Sequence, residues 1–414
     1  MKSLQRLALW VAGGIVGLAI APSDAAALPR MSLTAGSPCA TCHVSPQGAG
    51  ARNEIGWGSE LFTRAFGFAD IGLPKLDEQE SNTLLGGKVM IGIDLRAQLA
   101  RLGKPVADPA AKPADAFFSG YTPGTKPDLV YIPMQFQPYL TVLPTEWLSV
   151  AGSFNISTLA GSRYPGQSPW DAQVILHGDP MLPQLRLGMI QPTIGIRHDD
   201  HTMLVRADAM DPRRPLIPAG YAELGAEAAW HPISWFRVEA GGFTNTNLRE
   251  ASEARAADPV RATADGLAYS GRISLMPQFF DLGLNTWFGA SYFGSGELSL
   301  INAFAGVGRN EIGSLQVEMS HSTGAGDYTT TAYMALASWT PKEWLVVEAR
   351  GEMATSQATG IQASTKQMVL GVQFFVLPYL ELRPEYRLIH VRNESSATNE
   401  YILGQYTLQT HLFF

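Results

Sequence analysis

Residues 144–157 read Pro144-Thr145-Glu146-Trp147-Leu148-Ser149-Val150-Ala151-Gly152-Ser153-Phe154-Asn155-Ile156-Ser157. Within this stretch Leu148, Val150, Phe154 and Ile156 share one parity, and Ser149, Ser153, Asn155 and Ser157 the other. A period of two is that of a β-strand with one greasy and one wet face. Near the C-terminus Glu381, Arg383, Glu385 and Arg387 alternate with Leu380, Leu382, Tyr386 and Leu388, and Pro384 falls in the apolar register. Four charges on one face exclude a dry core on that side. Alternation alone does not say whether the wet face meets bulk water, as in a soluble sandwich, or an aqueous lumen.

The turn that opens the quoted stretch decides between them, because it recurs. Pro144-Thr-Glu-Trp147 is matched by Pro232-Ile-Ser-Trp235, Pro277-Gln-Phe-Phe280, Pro341-Lys-Glu-Trp344 and, more loosely, Pro378-Tyr379. Each reads as a tight turn with an aromatic at the start of the next strand. Between them lie longer stretches rich in small and polar residues, Gly103 to Lys126, Thr158 to Trp170, Arg197 to Ala219, Thr244 to Asp265, Ala354 to Ser364 and Arg392 to Asn399. Short turns alternating with long loops, with aromatics at the turn, is the asymmetry of outer-membrane barrels. The expected fold is therefore all-β, a transmembrane antiparallel up-and-down barrel of about 16 strands over residues 87–414. The first strand starts near Lys88 and the last ends at Phe414, which places both termini on the periplasmic side. The final strand fits: Tyr406, Leu408, Leu412 and Phe414 share one parity, Gln405, Thr407, Gln409 and His411 the other.

Composition agrees. The chain has 414 residues, a formal net charge of −7 and 16% charged residues, and a concentrated basic patch, the footprint of a nucleic-acid partner, is missing. Past the N-terminal region no stretch is apolar for the ~18 residues of a membrane helix. Residues 1–27 read as a signal peptide: Lys2 and Arg6, an apolar run from Leu7 to Ile20, and Ala25-Ala26-Ala27 as the cleavage sequence. An uncleaved N-terminal anchor is the competing reading.

The two cysteines, Cys39 and Cys42, fall in a segment (residues 28–86) expected to be short, mostly irregular or helical. With His43 they form Cys39-Ala-Thr-Cys42-His43, and C-x-x-C-H is the attachment sequence of c-type haem. Two thiols on one turn bond the porphyrin vinyl groups and the adjacent imidazole ligates iron. A structural zinc site wants about four protein ligands, and there is no second Cys pair. A thioredoxin-like dithiol wants a βαβ setting; a simple disulfide is the other reading, and a His directly after the second Cys in an exported chain favours haem. The distal iron ligand stays open, with Met90 and His411, both inward by parity near the short-turn end, and Met31 as candidates. Met90 and His411 also read as lumen fillers, and Met31 as a packing residue. His198-Asp199-Asp200-His201 reads either as a divalent-metal cluster or as a solvated turn. Glu348, Arg350, Glu352, Glu381, Arg383, Glu385 and Arg387 read as an inner face that contacts a polar plug, lines a channel or satisfies itself. No nucleophile–base constellation marks a hydrolase.

A leader, one C-x-x-C-H close behind it, preceded by Gly36 at the Gly-x-x-Cys spacing, and a barrel of about 16 strands ending in Phe together resemble the fused monohaem cytochrome-porins of iron-oxidising bacteria. After the histidine this chain reads Val44-Ser45-Pro46 where that family has Phe-Pro. The resemblance implies one covalent haem c held by Cys39, Cys42 and His43. It also implies electron transfer across the outer membrane between an extracellular donor or acceptor, Fe(II) among them, and periplasmic carriers such as soluble c-type cytochromes. A passive diffusion porin with a structural or sensory haem is the alternative, and a soluble periplasmic cytochrome with a β domain a more distant one.

Overall fold

The computed structural model describes residues 32–34, 39–45, 51–60, 64–77, 81–102, 129–157, 164–178, 181–198, 200, 202–210, 212, 215–255, 257–261, 266–310, 312–393 and 400–413. Residues 1–31, the expected signal peptide and Met31 among them, and Asp199, His201 and Phe414 lie outside them.

Eighteen strands join one antiparallel sheet. Two of them, Thr83–Leu84 and Gln278–Phe279, are two-residue extensions, which leaves a ring of sixteen. In chain order these are β1 Val89–Leu102, β2 Leu129–Thr145, β3 Leu148–Phe154, β4 Trp170–Leu176, β5 Gln184–Ile190 and β6 Glu223–Ile233. They continue as β7 Phe236–Thr244, β8 Leu267–Leu275, β9 Leu284–Ser295, β10 Leu298–Arg309 and β11 Gly313–Thr323. The last five are β12 Thr329–Lys342, β13 Leu345–Ala358, β14 Ile361–Leu377, β15 Leu380–Asn393 and β16 Glu400–Phe413. Neighbours in sequence are neighbours in the sheet, and β16 pairs with β1 from Gln405↔Leu102 to Phe413↔Asp94. That pairing closes the barrel and leaves it without an edge.

The parities fall as expected. On β3 Val150 and Phe154 are exposed on the outside while Ser149 and Ala151 are buried inside. On β16 Tyr406 is 61% exposed and Thr407, its neighbour, 7%. Glu381 and Arg387 of β15 are buried on the inner face. Trp147, Trp235, Trp339 and Phe279 stand exposed near the short-turn end, and Tyr131, Trp170, Tyr269, Tyr292 and Tyr333 near the other. Two aromatic belts around an apolar band match the two interfaces of a bilayer.

The Pro-led turns have a physical signature. Proline has no N–H for the ladder, and the register breaks beside four of the turns, between Val142 and Thr145, between Trp230 and Ile233, between Trp339 and Lys342, and between Phe375 and Leu377. Two expectations need correction. Pro277 to Phe280 is not a tight turn: Gln278–Phe279 stays paired, a 3-10 turn follows over Phe280–Leu282, and Gly283 closes it at φ 61°. Nor is Ala354 to Ser364 a long loop. There β13 and β14 run up to Ala358 and from Ile361, joined by Thr359-Gly360 with Gly360 at φ 76°. The small residues that suggested a loop are the inner-face residues Ala354, Ser356 and Ala363, set under the infolded segment described below.

Leu370 is exposed at mid-strand on β14. Leu370→Arg is expected to lower stability by about 2–4 kcal/mol, the cost of a cation at the bilayer midplane. Denaturant unfolding from lipid vesicles measures it; an unchanged midpoint would mean that this face does not meet lipid.

Candidate functional site in the barrel lumen

The Cys39–Thr41 stretch is a single 3-10 turn, in which Cys42 N–H and His43 N–H both donate to the carbonyl of Cys39, at 3.2 and 3.0 Å. Two thiols and one imidazole are therefore carried on one turn. Asn53 holds this turn from behind: its side-chain amide donates to the Thr41 carbonyl (2.9 Å), its N–H to the Cys42 carbonyl (3.1 Å), and its Oδ1 accepts from Gly56 N–H (3.0 Å). Val44 N–H donates to the Ala51 carbonyl (3.0 Å), and His43 pairs with Arg52 as an antiparallel bridge. A Cβ on Gly56 would overlap the Cys42 carbonyl, so the helix Glu54–Glu60 can lie this close only with glycine there. Cys39 and Cys42 are half-buried and form no disulfide with each other, and His43 is 6% exposed.

The wall of the barrel receives this segment at the short-turn end. Leu33 packs with Trp287 of β9, Phe304 of β10 and Ile196; side chains in place of Gly306 and Gly308 would collide with it. Asn285 donates to the Thr34 carbonyl (3.1 Å), Arg186 of β5 to Ser45 Oγ (3.4 Å), and Ser32 Oγ lies 3.4 Å from Cys39 Sγ. Trp57 stacks on Tyr379, ring centroids 5.3 Å apart, with Val346, Phe375 and Phe413 around it. The Arg52 guanidinium covers the Phe413 ring at 4.2 Å. Ala65 and Phe66 N–H donate to the carbonyls of Phe375 and Val376.

The described residues of a second segment, 191–222, fold inward from the far end, where sequence reading placed a long loop from Arg197 to Ala219. Burial on polar walls obliges its polar groups to find partners. His198 Nε2 meets Glu318 (2.8 Å), Leu204 N–H donates to Glu352 (2.6 Å), and Gly195 and Ala209 N–H donate to Ser291 and Ser356, both at 2.8 Å. Asp200 pairs with Arg350 (2.6 Å) and Arg387 (3.4 Å). Asp208 pairs with Arg255 (2.5 Å) and accepts from Tyr328 (3.0 Å), whose phenol is pushed well above its ordinary range by burial and by that carboxylate. The described members of the His198–His201 stretch are thus engaged in lumenal ion pairs. Among the described residues no group of three or more His, Cys, Asp and Glu converges to hold a metal.

The charged inner face does two of the expected things. It satisfies itself, through Arg383 with Glu348 (3.2 Å) and Glu385 (2.8 Å) and through Arg350 with Glu352 (2.7 Å), and the segment it grips is the infolded one, through Asp200 and Leu204, where the expected plug was the N-terminal segment. Met90 is half-buried on the inner face of β1, in register with Thr141 and Thr83. His411 also faces inward, but its Nε2 meets Asp94 (2.8 Å) and its Nδ1 Glu381 (3.3 Å), so both nitrogens are committed to carboxylates. Sequence reading did not single out Asn53, Gly56, Arg186 or Trp287. A buffering asparagine or an inward arginine looks, in a linear sequence, like any other polar residue of a barrel.

No family model matches this chain, and no curated protein matches it. Among solved structures, the outer membrane channel DcaP of Acinetobacter baumannii superposes with a TM-score of 0.54 at 7% identity, over 79% of this chain and 97% of that one. OprB of Pseudomonas putida gives 0.50 at 10% identity, over 80% and 95%. The fold is that of the outer-membrane porins.

Gly56→Val is expected to unseat the turn, at a cost of about 1–3 kcal/mol typical of overpacking, while the barrel survives. Limited proteolysis should then cut between residues 45 and 64 in the variant and not in the parent, with unchanged heat-modifiable gel mobility. Equal protection in both would show that the contact between Gly56 and Cys42 does not hold the segment.

Proposed function

We propose that the chain is a bacterial outer-membrane cytochrome-porin. In this reading it passes electrons between an extracellular donor or acceptor, Fe(II) among them, and periplasmic carriers such as soluble c-type cytochromes, through one covalently bound haem c. Both termini lie on the periplasmic side, so the short turns face that compartment. The observation that carries the proposal is the placement of Cys39, Cys42 and His43 on one turn inside the barrel mouth. The donor set fits the group: two thiols to form thioethers and a buried imidazole to ligate iron. Bound there, haem supplies a one-electron Fe(III)/Fe(II) couple.

The chain's own residues do the rest. Asn53 and Gly56 fix the turn, Leu33 and Trp57 dock it to the wall, and the infolded segment 191–222 lies directly against Leu33 through Ile196. A site within the bore shortens the distance that electrons must cover through an apolar band about 25 Å tall. Met90 is the described distal-ligand candidate whose side chain is not committed to an ion pair; His411 would first have to leave Asp94 and Glu381, and Met31 lies outside the described residues. A passive diffusion porin is the second reading, favoured by the fold likeness to a channel. Segments entering the lumen from both ends weigh against a wide open bore.

The test is made in liposomes that enclose a reduced dye, with a membrane-impermeant oxidant added outside. Dye oxidation is expected only with haem-loaded protein and is expected to vanish in a folded Cys42→Ala variant. Haem-loaded protein that conducts small ions but leaves the dye reduced would overturn the electron-transfer reading in favour of the porin.

A further inference from the structure

Between Ser32 and Asn53 the chain has no acidic residue, yet the wall against which this segment lies is rich in cations. Arg186, only 2% exposed, reaches Ser45 and pairs with Glu227 at 2.5 Å. Arg272 of β8 pairs with Glu239 at 2.6 Å and donates to the Gly195 carbonyl at 2.7 Å, beside Ile196, which packs on Leu33, and Arg237 shares the same carboxylate at 2.8 Å. Arg197 adds a fourth guanidinium, and Asp171, which feels the charges of Arg197 and Arg186, is the third carboxylate. Around this acid-free segment, which itself carries Arg52, four guanidiniums therefore face three carboxylates.

Two buried donors sharpen the point. Nε1–H of Trp287, a residue 6% exposed and packed on Leu33, has no hydrogen-bond partner among the described residues, and neither has Nε–H of Arg186. Buried N–H groups are nearly always satisfied, and leaving one without an acceptor is unfavourable. Unmatched donors together with surplus positive charge call for an anionic acceptor, and a carboxylate supplies both the oxygens and the charge.

We propose that Trp287 and Arg186, backed by Arg272, receive the carboxylate edge of the haem attached at Cys39 and Cys42 and hold its reduction potential up. This rests on the haem reading above. Haem carries two propionate carboxylates, the chemistry these donors lack. Reduction of Fe(III) to Fe(II) removes one positive charge, so a fixed cation nearby favours the reduced form and neutralising that cation lowers the potential.

The experiment uses the full chain, expressed with a haem-attachment machinery. Intact mass of the denatured protein shows whether haem is covalently bound, and spectroelectrochemical titration gives the midpoint potential. Arg186→Gln and Trp287→Phe are each expected to lower the potential, with haem content and the ferrous absorption band unchanged, and Arg186→Lys is expected to restore it. If Arg186→Gln does not fold, Trp287→Phe, which keeps the ring packing, carries the test. Haem-loaded variants with the parent potential would overturn the inference and leave the haem reading intact. A parent chain without haem would overturn both, and the mass spectrum separates the two failures. A free anion is the other source of carboxylate chemistry. If a haemless Cys39→Ala/Cys42→Ala chain binds acetate saturably through Trp287, read by its fluorescence, and the potential of the loaded chain is unmoved by Trp287→Phe, the site is for a free anion and the inference falls.

Discussion

In lipid no backbone N–H or C=O can go unpaired, since each unsatisfied group costs several kcal/mol. Closure of β16 onto β1 meets that demand, and the rest of the molecule follows from it. Once the sheet is a ring, a period of two sends every other side chain to lipid and the remainder to the lumen. Tyr406 and Thr407, adjacent in sequence, illustrate the consequence, one on each side of the wall. The outer face must then be apolar, and the polar residues left for the inside can be buried only if the lumen supplies partners.

Those partners come largely from segments that are not strands. Residues 191–222 bring backbone N–H groups to Glu352, Ser291 and Ser356 and a carboxylate, Asp200, to Arg350 and Arg387. Removing one member of such a buried pair leaves an uncompensated charge, an effect of about 3–5 kcal/mol. The infolded segment is thereby part of the folded barrel. At the short-turn end the segment with Cys39, Cys42 and His43 docks by apolar contacts, Leu33 over Gly306 and Gly308 and Trp57 on Tyr379, together with hydrogen bonds from Asn285 and Arg186 and from Ala65 and Phe66. The two segments meet where Leu33 touches Ile196. Material therefore enters the bore from both ends.

Much of the fold was legible in the sequence because a transmembrane barrel writes its two faces into alternate residues. The parity on β3, β15 and β16, the sixteen-strand ring and the Pro-Trp turns at Trp147, Trp235 and Trp344 all follow from that. Parity does not report where a strand stops: Ala354 to Ser364, rich in small residues, resembled a loop because its side chains make room for the infolded segment. Nor can a local pattern reveal the direction in which a long loop folds. His198 and Asp200 read as a solvated or metal-binding turn, and their partners Glu318, Arg350 and Arg387 lie more than a hundred residues away. The Cys39–His43 motif was legible as a motif, while its seat, made by Asn53, Gly56, Arg186 and Trp287, depends on tertiary contacts with no sequence periodicity.

The proposed covalent haem inside the barrel is tested most directly by the haem stain of a denaturing gel run on isolated outer membranes, with and without prior heating. A single band that stains for haem in both lanes and shifts in mobility on heating, as a folded barrel does, is the predicted result. A heat-shifted band that never stains would contradict it.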